Sequence, residues 1–403
     1  MPAIVAFPTV IEEAVETFGE VFSNQPERRH FGEYLTGLVV ADRKNVASIN
    51  AEFVDTTDQS CLNRWLNEAP WDAQQLNQQR LSWLQKDPAT RYRTAGVIPI
   101  DNTLIAHSGK LIEDVGWFWD HAEKRHLIAH DYLIANYVCP SGRYYPLDFR
   151  RFRKKDADPT GFKSHTVLCQ ELVDQVVEAS IPGTFAFDSY FSNAAVLNRI
   201  ARHQRNYVGD LKANRTIGWK GHNVAIGRIA QHLLAPLRQP IVSGTKLQWY
   251  FTKTVQLPRV DHPVRVVILW NRKNGRKPAK ILITNRIHWH VDVILNTYRK
   301  RWTGTETFHR DGKQHLGLGD CQLRTGEGLT RHMYLVIVVH SLLMAQMFTR
   351  RAYEWTQHKL TTIGQVCRAI TKEVLRKTLT WACEKATDAK WKTEHIMNFL
   401  ALN

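Results

Sequence analysis

Cysteine is sparse and scattered in this chain. The six residues, Cys61, Cys139, Cys169, Cys321, Cys367 and Cys383, include no closely spaced pair among 403 positions. That excludes a zinc finger or ribbon and a disulfide framework, and points to reduced thiols in the cytoplasm. No apolar run reaches the 18 or more residues that a membrane span needs. The longest, Met333–Phe348, is interrupted by His340, Ser341 and Gln346 and reads as a buried core helix. Met1–Val10 has no basic segment leading into an apolar core, so no signal peptide is expected. No glycine-rich phosphate loop occurs, so no nucleotide cofactor is expected. The eighteen histidines show no His-Glu-x-x-His pattern. Internal repeats and low-complexity segments are also missing.

Acidic residues are scarce in one place. The chain holds 54 Lys and Arg against 38 Asp and Glu, a net charge of +16. Residues 1–90 run the other way, with 7 basic and 13 acidic side chains. Residues 195–290 hold 18 basic side chains and two acids, Asp210 and Asp261, so this stretch equals the whole excess. Such a balance attracts a polyanion, nucleic acid before any other, with a solvated basic face as the plainer alternative. The length suggests two or three units, and 43% hydrophobic with 23% charged residues is ordinary for a globular protein.

Apolar spacings of three and four predict helices through residues 11–87, with Asp58 or Ser60 as a cap. Short apolar and aromatic runs then predict strands at 95–101, 115–120 and 126–138, the last two joined by a turn at 122–125. A helix is expected at 166–179, a strand at 184–188, a helix at 194–203 and a strand at 206–211. Sheet segments follow at 246–255, 264–270 and 280–284. Arg272, Lys273, Arg276 and Lys277 form a basic hairpin loop between the last two. A long helix is predicted from Val291 towards His315, with Gly304 as a candidate break. Helices at 333–350 and 363–377 complete the chain.

Two predicted strands end on an acid, Asp101 and Asp188. In α/β folds that delivers a carboxylate to the sheet edge where ligands bind, although a single such Asp is commonly a cap or turn residue. A third acid, Glu306, lies in the helix spanning Tyr298–Gly317. Glu306 and Lys313 share one helical face, and Tyr298 and Arg301 another. A carboxylate flanked by cations suits a metal beside DNA phosphates. A mixed-charge surface helix has the same pattern.

The segments Ile100-Asp-Asn-Thr103, Phe187-Asp-Ser189 and Tyr298–Gly317 resemble the three signature regions of bacterial insertion-sequence DDE transposases. The third region is similar to that of the clan with a Tyr-Arg-Glu-Lys signature, and Arg301-Trp-Thr-Gly-Thr-Glu-Thr-Phe-His-Arg-Asp-Gly-Lys-Gln314 looks most like its family numbered 701. One departure stands out. Four residues separate Arg301 from Glu306 where the clan has three, and the extra one falls at Thr303-Gly-Thr305, where a bulge or helix break is expected.

The resemblance implies an α/β fold with a ribonuclease-H-like catalytic core, interrupted by a β-rich insertion and flanked by helical parts. Its divisions are a helical N-terminal domain at 1–90, core at 91–212, basic insertion at 213–285, core at 286–348 and a helical C-terminal region at 349–403. Asp101 would lie on the first strand, Asp188 on the fourth and Glu306 on a later helix. Together they would hold two Mg²⁺, with Mn²⁺ as a substitute, about 4 Å apart, one activating water or a DNA 3′-hydroxyl and the other stabilising the leaving oxygen. Tyr298, Arg301 and Lys313 would hold DNA near the cut end, with Arg272, Lys273, Arg276 and Lys277 gripping phosphate beside it. A flipped base would stack on Trp249, Trp270, Trp289 or Trp302. The implied partners are double-stranded DNA, as terminal inverted repeats and target, and a second copy in a synaptic homodimer. The implied setting is the bacterial cytoplasm at the nucleoid. A non-catalytic DNA-binding descendant, or a nuclease without strand transfer, are the alternatives.

Overall fold

The computed structural model describes residues 3–109, 111–121, 123–347, 356, 359–387 and 392–400. The chain divides into two units. One comprises Met1–Arg91, Leu104–His130 and Phe308–Asn403, and the other Tyr92–Thr103 and Asp131–Thr307. The residues 286–348, expected as one piece of core, are therefore split at Thr307.

The first unit is mainly helical. Numbered along the chain, its helices are α1 (Thr9–Phe18), α2 (Gln25–Val40), α3 (Val46–Ala51), α4 (Gln59–Asn67), α5 (Ala73–Leu84), α10 (Gly326–Gln346), α11 (Ile363–Ala386) and α12 (Thr393–Phe399). Their starts are chemically marked. Asn24 accepts from the Glu27 N–H at the head of α2, and Asp58, of the two expected caps, accepts from the Ser60 N–H at the head of α4. Helix α10 begins seven residues before its predicted start, and residues 348–350 of that prediction lie outside the described residues. By length and composition α10 could cross a membrane, yet 94% of its most apolar window is buried. Three of its buried polar side chains are satisfied by residues 34–80. Arg331 donates to the carbonyls of Leu66, Ala69 and Trp71, His332 meets the Tyr34 hydroxyl at 2.8 Å, and the Ser341 hydroxyl accepts from Arg80 at 2.8 Å. It is the core helix of this unit, and residues 3–84 wrap around it. In the same unit a short strand, β2 (Gly116–Asp120), pairs antiparallel with the start of β3 (Arg125–Val138). Ala122, in the turn expected between them, lies outside the described residues.

The second unit is built on a mixed sheet. Its strands are β1 (Val97–Ala106), β3, β4 (Tyr144–Phe152), β5 (Thr184–Phe187), β6 (Asn206–Asp210), β9 (Gln239–Ser243), β10 (Lys246–Val255), β11 (Val264–Trp270) and β12 (Lys280–Thr284). They lie in the order β4-β3-β1-β5-β6-β12-β11-β10-β9. Strands β1, β5 and β6 are parallel, and the β5-to-β6 crossover runs through α7 (Ala194–Arg202). Helix α6 (His165–Glu178) precedes β5, and α8 (Ile226–His232) follows a separate hairpin of β7 (Thr216–Trp219) and β8 (His222–Ala225).

Three expectations change here. Strand β1 runs on to Ala106, so Asp101 stands in mid-strand rather than at a strand end. Asp188 follows the fifth strand in chain order, because β2 intervenes. Of the stretch 213–285, only β7 and β8 form a sheet of their own; β9–β12 extend the main sheet. Strand β12 caps the open edge of β6 antiparallel, Leu282 opposite Asp210, and satisfies backbone groups an edge would leave bare. Arg150 and Arg151 lie inside β4, where Arg150 bonds Asp148 and Gln175.

Helix α9 (Val291–His315) is continuous through Gly304, with no break at the extra residue. Its first half covers one face of the sheet. Val291, Ile294 and Leu295 pack on Val208, Val267, Leu269 and Leu282. Gly304 is there for closeness. A Cβ at that position would stand 2.5 Å from Pro99 and 2.6 Å from Val138, so the helix can lie on β1 and β3 only without a side chain. Gly304→Ala should therefore cost roughly 1–3 kcal/mol of stability in denaturant titration, although alanine favours an isolated helix by about 1 kcal/mol. A stabilised variant would mean that the helix and strands do not meet as described.

Candidate active site

Strand pairing sets three aspartates in one row. Val97 is level with Thr184 and Pro99 with Ala186. Thr184 is in turn level with Asn206, and Phe187 with Gly209. Continued along the strands, the register puts Asp101, Asp188 and Asp210 side by side on three adjacent chains, about 4.8 Å apart by strand spacing. Side chains alternate between faces, and Pro99 and Val208 of the same parity meet α9, so the row faces that helix.

Cations sit at both ends of the row. Arg301 of α9 donates to Asp101 Oδ2 at 2.6 Å, with both side chains largely buried. Lys280 of β12 reaches Asp210 at 3.3 Å, donates to the Tyr298 hydroxyl at 3.4 Å and lies over that ring. In the middle, Asp188 Oδ1 accepts from the Tyr190 N–H at 2.8 Å. Burial pushes Asp101 up to about 7; Arg301 opposes the shift, while the charges of Asp188 and Glu306 add to it. Burial also raises Asp210, against Lys280 and with Asp188. Thus Asp188 and Glu306 both act on Asp101, which burial has already raised.

A second network locks the other side of β1. Asn102, pointing away from the row, donates to Asp131 Oδ1 at 2.9 Å. His165 Nε2, on the first turn of α6, meets Asp131 Oδ2 at 2.8 Å, and His165 Nδ1 meets the Tyr190 hydroxyl at 3.4 Å. Phe152 stacks on the imidazole with ring centroids 3.9 Å apart. The strand bearing Asp101 and the turn after Asp188 are thereby tied to the same residues.

Sequence reasoning named Asp101, Asp188 and Glu306 but counted Asp210 only as a rare acid in a basic stretch. The signal was present: Asp210 ends an apolar strand as Asp188 follows one. The Asn102–Asp131–His165 network had no sequence signal, because its members are far apart along the chain.

The other candidate residues divide by exposure. Tyr298 is half-buried over the α9 core and Arg301 is buried. Trp302 is 62% exposed. Lys313 lies exposed two turns beyond Glu306. Arg272, Lys273, Arg276 and Lys277 are all exposed in the turn between β11 and β12, at the same sheet end as the aspartates. Among the four tryptophans, Trp270 is fully buried beneath the Arg238 guanidinium, Trp249 and Trp289 are half-buried, and Trp302 is the exposed one.

All-oxygen donors in an electron-rich pocket fit a hard divalent cation. The carboxylates are not gathered to receive one: among the described residues no three His, Cys, Asp or Glu side chains are clustered closely enough to hold an ion. Arg301 occupies Asp101 in this arrangement and would have to share it. Residues 17–228 match the family described as DDE superfamily endonuclease, a span that includes the three aspartates and ends before Glu306. No curated protein matches the chain.

Because Asp101 is raised above the ordinary carboxylate value, a proton competes with any cation below about pH 7. Mg²⁺ affinity measured by calorimetry should fall by about tenfold per pH unit below that point and level off above it. Asp101→Asn should bind weakly and without this slope. An equally steep slope in the variant would remove Asp101 from the metal site.

Proposed function

The chain belongs to the DDE superfamily endonucleases, and from that premise we propose that it is a bacterial insertion-sequence transposase of the Tyr-Arg-Glu-Lys clan, most similar to the family numbered 701. Endonucleases of this superfamily act on DNA and generally use divalent metals. The proposed reaction is finer: cleavage at element ends, then joining of the freed 3′-hydroxyl to target DNA. The observation that carries this reading is the aspartate row on β1, β5 and β6 facing a helix that brings Glu306 into the same field. A ribonuclease-H-like core is supported by three adjacent parallel strands flanked by the antiparallel pair β3 and β4.

In this proposal Asp101, Asp188 and Glu306 hold two Mg²⁺, for which Mn²⁺ would substitute. When bound, the ions supply a nucleophile at neutral pH and stabilise the leaving oxygen. Arg301 keeps Asp101 oriented and offsets its charge. Tyr190 and the Asn102–Asp131–His165 network hold Asp188 and β1 at fixed height. Tyr298 and Lys280 fix the base of α9, so Trp302 and Lys313 present towards DNA from its outer surface. Arg272, Lys273, Arg276 and Lys277 grip phosphates along the sheet end. Terminal inverted repeats and target DNA are the proposed substrates, a second copy is the proposed partner in synapsis, and the bacterial nucleoid is the proposed location.

Asp188→Ala should abolish nicking of a duplex in Mg²⁺ while leaving duplex affinity within about threefold; undiminished cleavage would sink the carboxylate assignment. Recovery of 3′ ends joined to target DNA separates a transposase from a nuclease without strand transfer. Exchanging Arg272, Lys273, Arg276 and Lys277 for glutamine should flatten the log–log salt dependence of binding by roughly 0.9 for each phosphate that is no longer neutralised. An unchanged slope would make the turn a solvated face.

A further inference from the structure

The hairpin of β9 and β10 exposes an apolar pair that the candidate active site does not use. Val242 and Leu247 lie directly opposite each other and are 70% and 51% exposed. They are the second pair from a tight turn at Gly244, whose φ of +67° favours glycine. Their neighbours in the hairpin, Ile241 and Tyr250, pack on the core beneath α9. Alternation therefore turns Val242 and Leu247 to the opposite face, where nothing among the described residues covers them.

Position and charge say what meets them. Trp249 pairs with Trp270, and Gln248 donates to Asn271 at 3.0 Å, so the hairpin tip lies at the same sheet end as the Arg272–Lys277 turn. That is also the end where Leu282 pairs with Asp210 in the aspartate row. From β5 to β10 there are four strand spacings, about 19 Å. Residues 211–260 contain eight Lys or Arg and no Asp or Glu, and Lys246, beside Leu247, is exposed. A ribbon tip with branched apolar side chains in a field of one sign matches a duplex: phosphates answer the cations, and the apolar pair fits between unstacked bases.

We propose that this hairpin enters the minor groove of bound DNA and wedges Val242 and Leu247 into a base step. The proposal rests on the reading of the chain as a DNA-cutting enzyme. At about 3.4 Å per base pair, the wedged step lies roughly six base pairs from the phosphate at the aspartates. Insertion of this kind kinks a duplex by roughly 20–90°, which draws the far arm of the DNA onto the basic turn.

The test uses the full chain and a short duplex labelled at both ends for energy transfer, with 2-aminopurine placed at successive positions in parallel samples. The wild type should shorten the end-to-end distance and brighten 2-aminopurine at one step. Val242→Ser with Leu247→Ser should stay folded and still bind the duplex with the wild-type salt slope, because the phosphate contacts are untouched, yet lose both signals. Leu247→Ile should retain them, which guards against a folding defect in the double variant. Bending that survives in the double variant overturns the proposal. So does a wild type that binds without bending, which leaves the DNA-cutting reading intact; a wild type that binds no duplex overturns both. A double variant that dissociates a DNA-free dimer in sedimentation would assign the pair to a subunit contact and overturn the wedge.

Discussion

Three carboxylates in one row on adjacent parallel strands are the constraint from which the second unit follows. Like charges on neighbouring strands repel, and Asp188 has such a neighbour on each side. The protein meets this repulsion with one cation at each end of the row, Arg301 from α9 and Lys280 from β12. Both depend on strand and helix placement rather than on local sequence. Arg301 reaches Asp101 because α9 lies on β1 without a side chain at Gly304. Lys280 reaches Asp210 because β12 pairs with β6. Asp101 is nonetheless raised, first by burial and then by the charges of Asp188 and Glu306, with Arg301 opposing.

The same pairing explains why the basic stretch is not a separate appendage. Once β12 has capped β6, strands β11, β10 and β9 follow as antiparallel neighbours, and every second connection returns to the end that bears the aspartates. The turn with Arg272, Lys273, Arg276 and Lys277 and the Gly244 turn are both of this kind. Lys246, Arg272, Lys273, Arg276, Lys277 and Lys280, which the linear sequence separates by up to 34 positions, are thus brought to one edge. Under the proposed function, a polyanion lying along that edge would meet the basic turn and the carboxylate row together, in a geometry set by strand order.

Much of this was legible in the sequence, for definable reasons. Apolar spacings of three and four marked the helices of residues 11–87, and Asp58 marked a cap. Short apolar runs marked β5, β6, β11 and β12. Asp101 and Asp188 stood out because each interrupts or closes such a run. The continuation of β1 past Asp101 was not legible, since Asp101-Asn-Thr103 carries turn-forming residues that tertiary pairing overrides. Strand β4 was hidden by Arg150–Lys155, because a strand whose arginines are paired to Asp148 and Gln175 has no sequence mark distinguishing it from a charged loop. Asp210 and His165 could not be weighed without register, which only the folded sheet supplies.

The extra residue in α9 also has a physical reading. In an unbroken helix each residue advances by about 100°. Three intervening residues would set an arginine and a glutamate about 40° apart, on one face. Four set Arg301 and Glu306 about 140° apart. Since α9 is continuous, the insertion is not absorbed by a bulge, and the two side chains diverge. Arg301 turns inward with Gly304, Thr305 and Phe308 and is buried on Asp101, whereas Glu306 stays at the half-buried flank. An arginine displaced in this way is better placed to balance the carboxylate row than to touch the DNA backbone. Under the proposed function, phosphate contact would fall to residues that remain exposed, such as Trp302 on the helix, Lys313 further along it and the basic turn between β11 and β12.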